Sequence, residues 1–121
     1  MMKYSKSHEW VKFKANNIYV VGITEHAQKE LGEIVYLELP KIGREIQKGE
    51  EVAVLESTKA AADIYSPVSG TIVSVNTPLS ENLDKINSSP EVEGWLYTIA
   101  LNDPTEIDEL LEKTDYETLL I

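Results

Sequence analysis

The residue best suited to do chemistry in this sequence is Lys59, which lies between two strand-like runs, Glu51 to Ser57 and Ala61 to Tyr65. Its neighbours Thr58 and Ala60 are small. A hairpin tip built this way would hold the lysine side chain in water and leave room for a second enzyme to reach the amine. Acylation of a lysine gives a stable amide and removes one positive charge. The pattern therefore predicts an acceptor of an acyl group.

The same residue is a poor candidate for direct catalysis. A lysine that acts as a nucleophile is usually buried or placed beside another cation. The charged neighbours here are Glu56 and Asp63, which would stabilise the ammonium form instead. The simplest alternative is a plain interaction module with a bare, solvated lysine, because lysines commonly occupy exposed turns.

Composition excludes several other kinds of function. The 121 residues include no cysteine, so disulfides, thiol nucleophiles and cysteine-ligated zinc are ruled out. His8 and His26 have no third histidine to complete a metal site, and we predict no metal. The net charge of −10 would repel a phosphate backbone, so we expect no binding to nucleic acid.

The chain length fits one domain, and no apolar run approaches the roughly 20 residues that span a bilayer. We therefore expect no membrane insertion. The sequence has no signal-peptide apolar region and no arginine-rich leader, so it predicts a cytoplasmic protein or a mature chain whose leader was removed, and the initiating Met1 favours the first.

The elements around Lys59 are predicted to be mainly strands. Thr24 and Gly32 predict the start and end of a short amphipathic helix over Glu25 to Leu31. Alternating or β-branched residues predict the strands. Their predicted positions, besides the two beside Lys59, are Val11 to Phe13, Ile18 to Val21, Ile34 to Leu39, Thr71 to Val75 and Trp95 to Leu101. The polar stretch from Asn76 to Glu91 is predicted as a loop that could include a helical turn near Asn82 to Ile86.

A C-terminal helical segment is predicted over about 103–121. Asp103 can cap a helix, Pro104 suits its first position, and Glu106 would complete a capping box. Thr114 is predicted to cap a last short helix. The segment is acidic, yet its apolar residues recur at helical spacing, which predicts docking onto the body rather than disorder. The predicted buried residues of the first helix are Ile107, Leu110 and Leu111.

Several motifs, in one order along the chain from about Tyr4 to Leu120, resemble the glycine cleavage H-protein family. They are Ser7-His8-Glu9-Trp10, Gly22-Ile23-Thr24-Glu25-His26-Ala27-Gln28, Leu31-Gly32-Glu33-Ile34-Val35, Leu37-Glu38-Leu39-Pro40, Glu56-Ser57-Thr58-Lys59-Ala60 with the following Asp63 to Gly70, and Glu93-Gly94-Trp95-Leu96. Thr58 stands where the family commonly has valine. Pro90 to Glu93 replaces a more usual aromatic–glycine stretch, which puts partner contacts of that loop in doubt.

The resemblance implies a mainly β fold, a barrel-sandwich hybrid of the lipoyl-domain type, with a short N-terminal helix and C-terminal helices. Residues 1–121 would form one lipoyl-carrier domain. Lipoate would be joined by an amide to Lys59, with Glu56, Ser57 and Ala60 flanking the attachment.

The resemblance also implies a non-catalytic carrier of the glycine cleavage system. The chain would take an aminomethyl group from the P protein (glycine decarboxylase) to the T protein (aminomethyltransferase). It would pass electrons to the L protein (dihydrolipoyl dehydrogenase). A lipoate ligase or a lipoyl/octanoyl transferase would attach the arm.

In the family, the loaded arm folds into a surface cleft. The positions that match this cleft are Ser7, Glu9 and Asp63, together with Glu30, where family side chains vary. A cationic aminomethyl group would favour the carboxylates among them.

Two other carriers remain as alternatives. An H-like relay that donates lipoyl groups to other enzymes would have the same attachment motif. A biotin carrier shares the hairpin lysine, although such carriers resemble Met-Lys-Met where this chain has Thr58-Lys59-Ala60.

Overall fold

Alternating apolar residues build two antiparallel sheets in the computed structural model, which describes residues 2–121. The strands are β1 (Met2–Tyr4), β2 (Glu9–Ala15), β3 (Ile18–Ile23), β4 (Ile34–Glu38), β5 (Glu45–Ile46), β6 (Glu51–Ser57), β7 (Ala61–Tyr65), β8 (Gly70–Val75) and β9 (Tyr97–Leu101). The helices are α1 (Glu25–Leu31), α2 (Asp84–Ser88) and α3 (Lys113–Leu119), with 3₁₀ turns at Thr77–Ser80 and Pro104–Glu109.

One sheet has six strands in the order β1-β2-β3-β9-β8-β5, and the other has three in the order β4-β6-β7. Both sheets contribute to one core, in which Leu55 of β6 and Ile99 of β9 are completely buried. The predicted mainly β fold with an N-terminal helix and C-terminal helical segments is confirmed. Within residues 2–121, no helix has the length and apolar character required to cross a membrane.

The predicted helix over Glu25 to Leu31 is confirmed as α1. The Thr24 hydroxyl accepts a hydrogen bond from the Ala27 backbone N–H at 3.1 Å, as an N-cap should. Gly32 ends the helix at φ 88° and ψ −160°, a backbone region that essentially only glycine occupies.

The predicted cap of the C-terminal segment is only half right. Asp103 accepts from the Thr105 N–H at 3.0 Å, but it begins a 3₁₀ helix. The capping box is wrong, because the Glu106 carboxylate reaches away to the Ser69 backbone N–H at 2.6 Å. The N-cap position of the last helix is Glu112, two residues before the predicted Thr114, and the Glu112 side chain makes no capping hydrogen bond.

Docking of the C-terminal segment onto the body is confirmed. Tyr116 of α3 is buried and stacks on Tyr4 with ring centroids 4.7 Å apart. Leu111 exchanges two backbone hydrogen bonds with Tyr4, at 2.9 and 2.7 Å. Ile107 and Leu110 are half-buried against the main core. The leucine spacing therefore reflected packing, although the segment is acidic.

At Gly70, the neighbouring strands β8 and β9 approach too closely for a side chain. A Cβ there would lie 2.1 Å from the Ala100 carbonyl oxygen. We expect Gly70→Ala to lower the free energy of unfolding by about 3 kcal/mol, because backbone must shift to accept it. Urea unfolding will measure this. Val73→Ala on the same strand, at a side chain that is 40% exposed, should cost about 1 kcal/mol or less. Equal costs for both variants would contradict the close approach.

Candidate functional site

Lys59 lies at the tip of the β6–β7 hairpin and is exposed. The tip is closed by Ser57, whose backbone N–H donates to the Ala60 carbonyl oxygen at 2.8 Å. The Ser57 hydroxyl oxygen accepts from the backbone N–H groups of Lys59 and Ala60, both at 3.1 Å. A single side chain therefore satisfies the turn and fixes the backbone from which the lysine projects.

The tip rests on the connection between α1 and β4. The Thr58 N–H donates to the Glu33 carbonyl oxygen at 3.2 Å. The Lys59 amine donates to the Glu30 carbonyl oxygen at 3.4 Å, at the end of α1, where the helix dipole favours a cation. The lysine stem passes over Gly32, where an added Cβ would lie 3.0 Å from Lys59 Cε.

A second group of predicted residues surrounds the carboxyl of Glu9, which is 2% exposed. The hydroxyls of Ser7 and Ser5 donate to its Oε1 at 2.6 and 2.7 Å. Burial raises the pKa of Glu9 to about 7, although hydrogen bonds from Ser7, Ser5 and the Tyr65 backbone act in the opposite direction. The carboxyl thus changes charge near neutrality, which an exposed glutamate does not.

A surface cavity of about 420 Å³ lies beside this carboxyl. Its walls include Ser5, Ser7 and Tyr65, the residues that hydrogen-bond Glu9, together with Leu110 of the C-terminal segment. The cavity is wide enough for a small polar group. The charged residues of its wall are Lys6, Lys48 and Glu109, and Glu9 is not part of the wall but contacts the lining residues Ser5 and Ser7. The charges of the wall therefore do not by themselves favour a cation over an anion.

The structure brings only some of the predicted site residues together. Ser7 and Glu9 are in contact, as expected for a cleft. Glu30 is exposed at the end of α1, with its carboxylate 3.5 Å from His26 and its carbonyl oxygen near the Lys59 amine. Asp63 is exposed on β7 opposite Val54, and no hydrogen bond within residues 2–121 joins it to Glu9 or Lys59.

Sequence reasoning missed Ser5, which donates to the same oxygen as Ser7. Ser5 lies in the same polar stretch as Ser7 and Glu9, but a turn brings its hydroxyl to the carboxyl, and the sequence pattern did not predict that turn. The backbone N–H of Tyr65 left no signal either, because any residue supplies one. Glu56 and Ala60 are exposed beside Lys59, where the hairpin prediction placed them.

Comparison with known proteins identifies the family. The model of the family described as "Glycine cleavage H-protein" matches residues 2–121. The chain belongs to the glycine cleavage H-protein family. A glycine cleavage system H protein of Escherichia coli is 50% identical over 119 residues, which is 98% of this chain and 92% of the relative. One of Citrobacter koseri is 51% identical over the same shares.

A solved structure supports the same family and fold. The crystal structure of a glycine cleavage system H protein from Mycobacterium marinum has a TM-score of 0.87 and is 34% identical. The match covers 97% of this chain and 94% of the other. The resemblance predicted from the motifs is confirmed, and with it the barrel-sandwich fold. Since H proteins are carrier subunits of glycine cleavage, membership gives this chain a carrier role.

Burial of a neutral Glu9 makes stability depend on pH. Between pH 4.5 and about 7 the native chain holds a proton on Glu9 that the unfolded chain has lost. The free energy of unfolding should therefore fall as pH rises through this window, by up to about 3 kcal/mol, and show no further Glu9 effect above it. Glu9→Gln stays neutral and should lack this part of the slope.

Urea unfolding at a series of pH values from 4 to 8 will measure the difference between the two chains. Glu45→Gln, at an exposed carboxylate, is the matched control and should follow the unchanged chain. Identical slopes for Glu9→Gln and the unchanged chain would show that folding does not raise the pKa of Glu9.

Proposed function

We propose that Lys59 receives a lipoyl group through an amide bond and that the chain then serves as the mobile carrier of glycine cleavage. In this role it takes an aminomethyl group from the P protein to the T protein and passes electrons to the L protein. The observation that carries the proposal is the exposed amine of Lys59 at a closed hairpin tip, in a chain of the H-protein family. The cytoplasmic location expected from the sequence belongs to the same proposal.

The residues at the tip fit a covalent arm. The Ser57 hydroxyl closes the turn by accepting from backbone N–H groups, so the tip keeps its shape when the Lys59 amine is acylated. Thr58 and Ala60 are small and exposed, and they leave the amine open to a lipoate ligase or a lipoyl/octanoyl transferase. Glu56 is exposed one strand position before the turn and offers such an enzyme a charged contact.

Lipoate, once attached, supplies a dithiolane that undergoes thiol–disulfide chemistry. This chain has no cysteine of its own, so the attached group is the source of its sulfur chemistry. The protein contributes the anchor, the charge around it and a place to shelter the cargo. Tethering then raises the local concentration of cargo at each partner that the carrier docks on.

The cavity beside Glu9, whose walls include Ser5, Ser7 and Tyr65, would shelter the aminomethyl cargo. A cationic amine entering beside Glu9 would stabilise the carboxylate and displace its proton, because an opposite charge at short range favours the ionised form. Ser5 and Ser7 hold the accepting oxygen in place. In this proposal Asp63 and Glu30, both exposed, add negative charge along the path from Lys59 to the pocket.

Lys59→Arg keeps the positive charge but removes the acylable amine. We expect it to fold normally, to gain no mass when incubated with a lipoate ligase and lipoate, and to give no glycine cleavage with the P, T and L proteins. Intact-mass spectrometry and a glycine decarboxylation assay will test this. Lys41→Arg, at another exposed lysine, should be lipoylated and active like the unchanged chain. Full activity of Lys59→Arg would refute the carrier assignment.

The same mass measurement on natively expressed chain separates lipoyl from biotinyl attachment. A relay that only donates lipoyl groups would be lipoylated at Lys59 yet fail to support glycine decarboxylation.

The role of the cavity is tested by changing Glu9 while leaving Lys59, the attachment site, unchanged. Glu9→Gln should be lipoylated at the normal rate and should slow glycine cleavage by about tenfold, since one charge-assisted contact to the cargo is lost. Glu45→Gln should have no effect. A normal turnover rate for lipoylated Glu9→Gln would remove Glu9 from the proposed shelter.

A further inference from the structure

His8 lies in a backbone conformation that residues with a side chain rarely keep. Its φ is 74°, in the left-handed region. Such a conformation persists where the surrounding structure imposes it. Two backbone bonds contribute here, since the His8 N–H donates to the Ser5 carbonyl oxygen at 3.2 Å and the Thr24 N–H donates to the His8 carbonyl oxygen at 3.1 Å.

The His8 side chain connects the C-terminal helix to α1. Its Nδ1 lies 2.8 Å from the hydroxyl of Tyr116, which is buried on α3. The same hydroxyl lies 2.8 Å from Thr24 Oγ1, at the N-cap of α1. The ring of His8 also packs on that of His26, with centroids 4.7 Å apart.

The hydrogen bonds that join His8, Tyr116 and Thr24 can all form when His8 is neutral. Thr24 Oγ1 accepts from the Ala27 N–H and keeps its own hydrogen to donate to the Tyr116 oxygen. In that arrangement the Tyr116 hydroxyl donates to an unprotonated Nδ1 of His8. Burial lowers the pKa of His8, and the neighbouring His26 lowers it further, while Glu30 opposes both. The neutral form is thus favoured.

His8 stands between Ser7, which lines the cavity, and Glu9. The Glu9 N–H donates to Ser5 Oγ at 2.9 Å, and the Ser5 N–H donates to the Glu9 carbonyl oxygen at the same distance. Both serine hydroxyls then donate to the Glu9 carboxyl. The shape of the Ser5–Glu9 turn therefore decides whether these donors meet the acid.

We propose that His8 is a positioning residue for the pocket. Anchored by the Tyr116 hydroxyl of the C-terminal helix, it holds the Ser5–Glu9 turn in its left-handed shape and so keeps the Glu9 carboxyl buried against its serine donors. The C-terminal helix thereby acts on the pocket through one hydroxyl. The inference rests on the proposed function only in taking this pocket as the shelter for the cargo.

Two variants of the full, unmodified chain test it. Tyr116→Phe removes only the hydroxyl. His8→Gly removes the imidazole that bonds to Tyr116, and glycine tolerates the positive φ at this position. The Glu9 carboxyl is followed by carbon NMR as a function of pH, and exchange of the Glu9 amide hydrogen is followed in parallel. In both variants we expect the pKa of Glu9 to fall from about 7 toward 4.5 and its amide to exchange at least about threefold faster.

Two controls separate positioning from loss of stability. Thr118→Val deletes a hydroxyl from the same helix that bonds only within it, to the Thr114 carbonyl oxygen. Ile99→Val trims the main core and lowers stability without touching the turn. Both should leave the Glu9 titration unchanged. The double variant His8→Gly/Tyr116→Phe should lower the pKa of Glu9 no further than either single change does, because both changes break the same hydrogen bond between His8 and Tyr116.

The inference is overturned if Tyr116→Phe and His8→Gly lower thermal stability as Ile99→Val does while Glu9 titrates as before. Because the titration is read on unlipoylated chain, it does not depend on the carrier proposal. If the pKa of Glu9 shifts while the lipoylated variants cleave glycine at the normal rate, the positioning role of His8 is supported. The proposal that the cavity shelters the cargo is then refuted.

Discussion

The alternation of side chains from Ala53 to Ser57 on β6 and along β7 is the constraint on which the rest of the molecule depends. Leu55 and Ile64 point into the shared core, and a shift of one residue in register would bring Glu56 and Tyr65 into their places. This register fixes where the two strands end. The turn that contains Lys59 must then project beyond the core, where neither sheet covers it. Packing of the interior thereby determines the position of Lys59, the residue proposed to carry the lipoyl group.

Elements with strong local signals were predictable from the sequence. The bounds predicted for β6, β7 and α1 agree with the structure because each element has clear periodicity and a turn or cap at its ends. By contrast, β1 and β5 were missed. They are three and two residues long, and they exist because longer neighbouring strands offer them partners. No property of their own sequences requires them to be extended.

The failed capping box has a similar explanation. Glu106 has the right residue type and spacing, but the buried Ser69 offers its carboxylate a backbone N–H and a hydroxyl. These donors come from a segment distant in sequence, and an unpaired buried N–H is costly. The Glu106 carboxylate therefore bonds to Ser69 rather than to the N-terminus of its own helix. The same limit applies to the site, where Ser7 and Glu9 followed from the family motif but the contribution of Tyr116, more than a hundred positions away, did not.

The closed and tethered tip also sets the geometry of delivery. Ser57 satisfies the turn, and the Thr58 N–H ties it to the segment after α1, so the backbone at Lys59 does not flex freely. An arm attached there would rotate about a fixed pivot, and its reach would equal the length of one side chain plus its acyl group. Each partner enzyme must accordingly bring its reactive centre within that radius. Docking surfaces, rather than loop motion, then decide which partners the carrier serves.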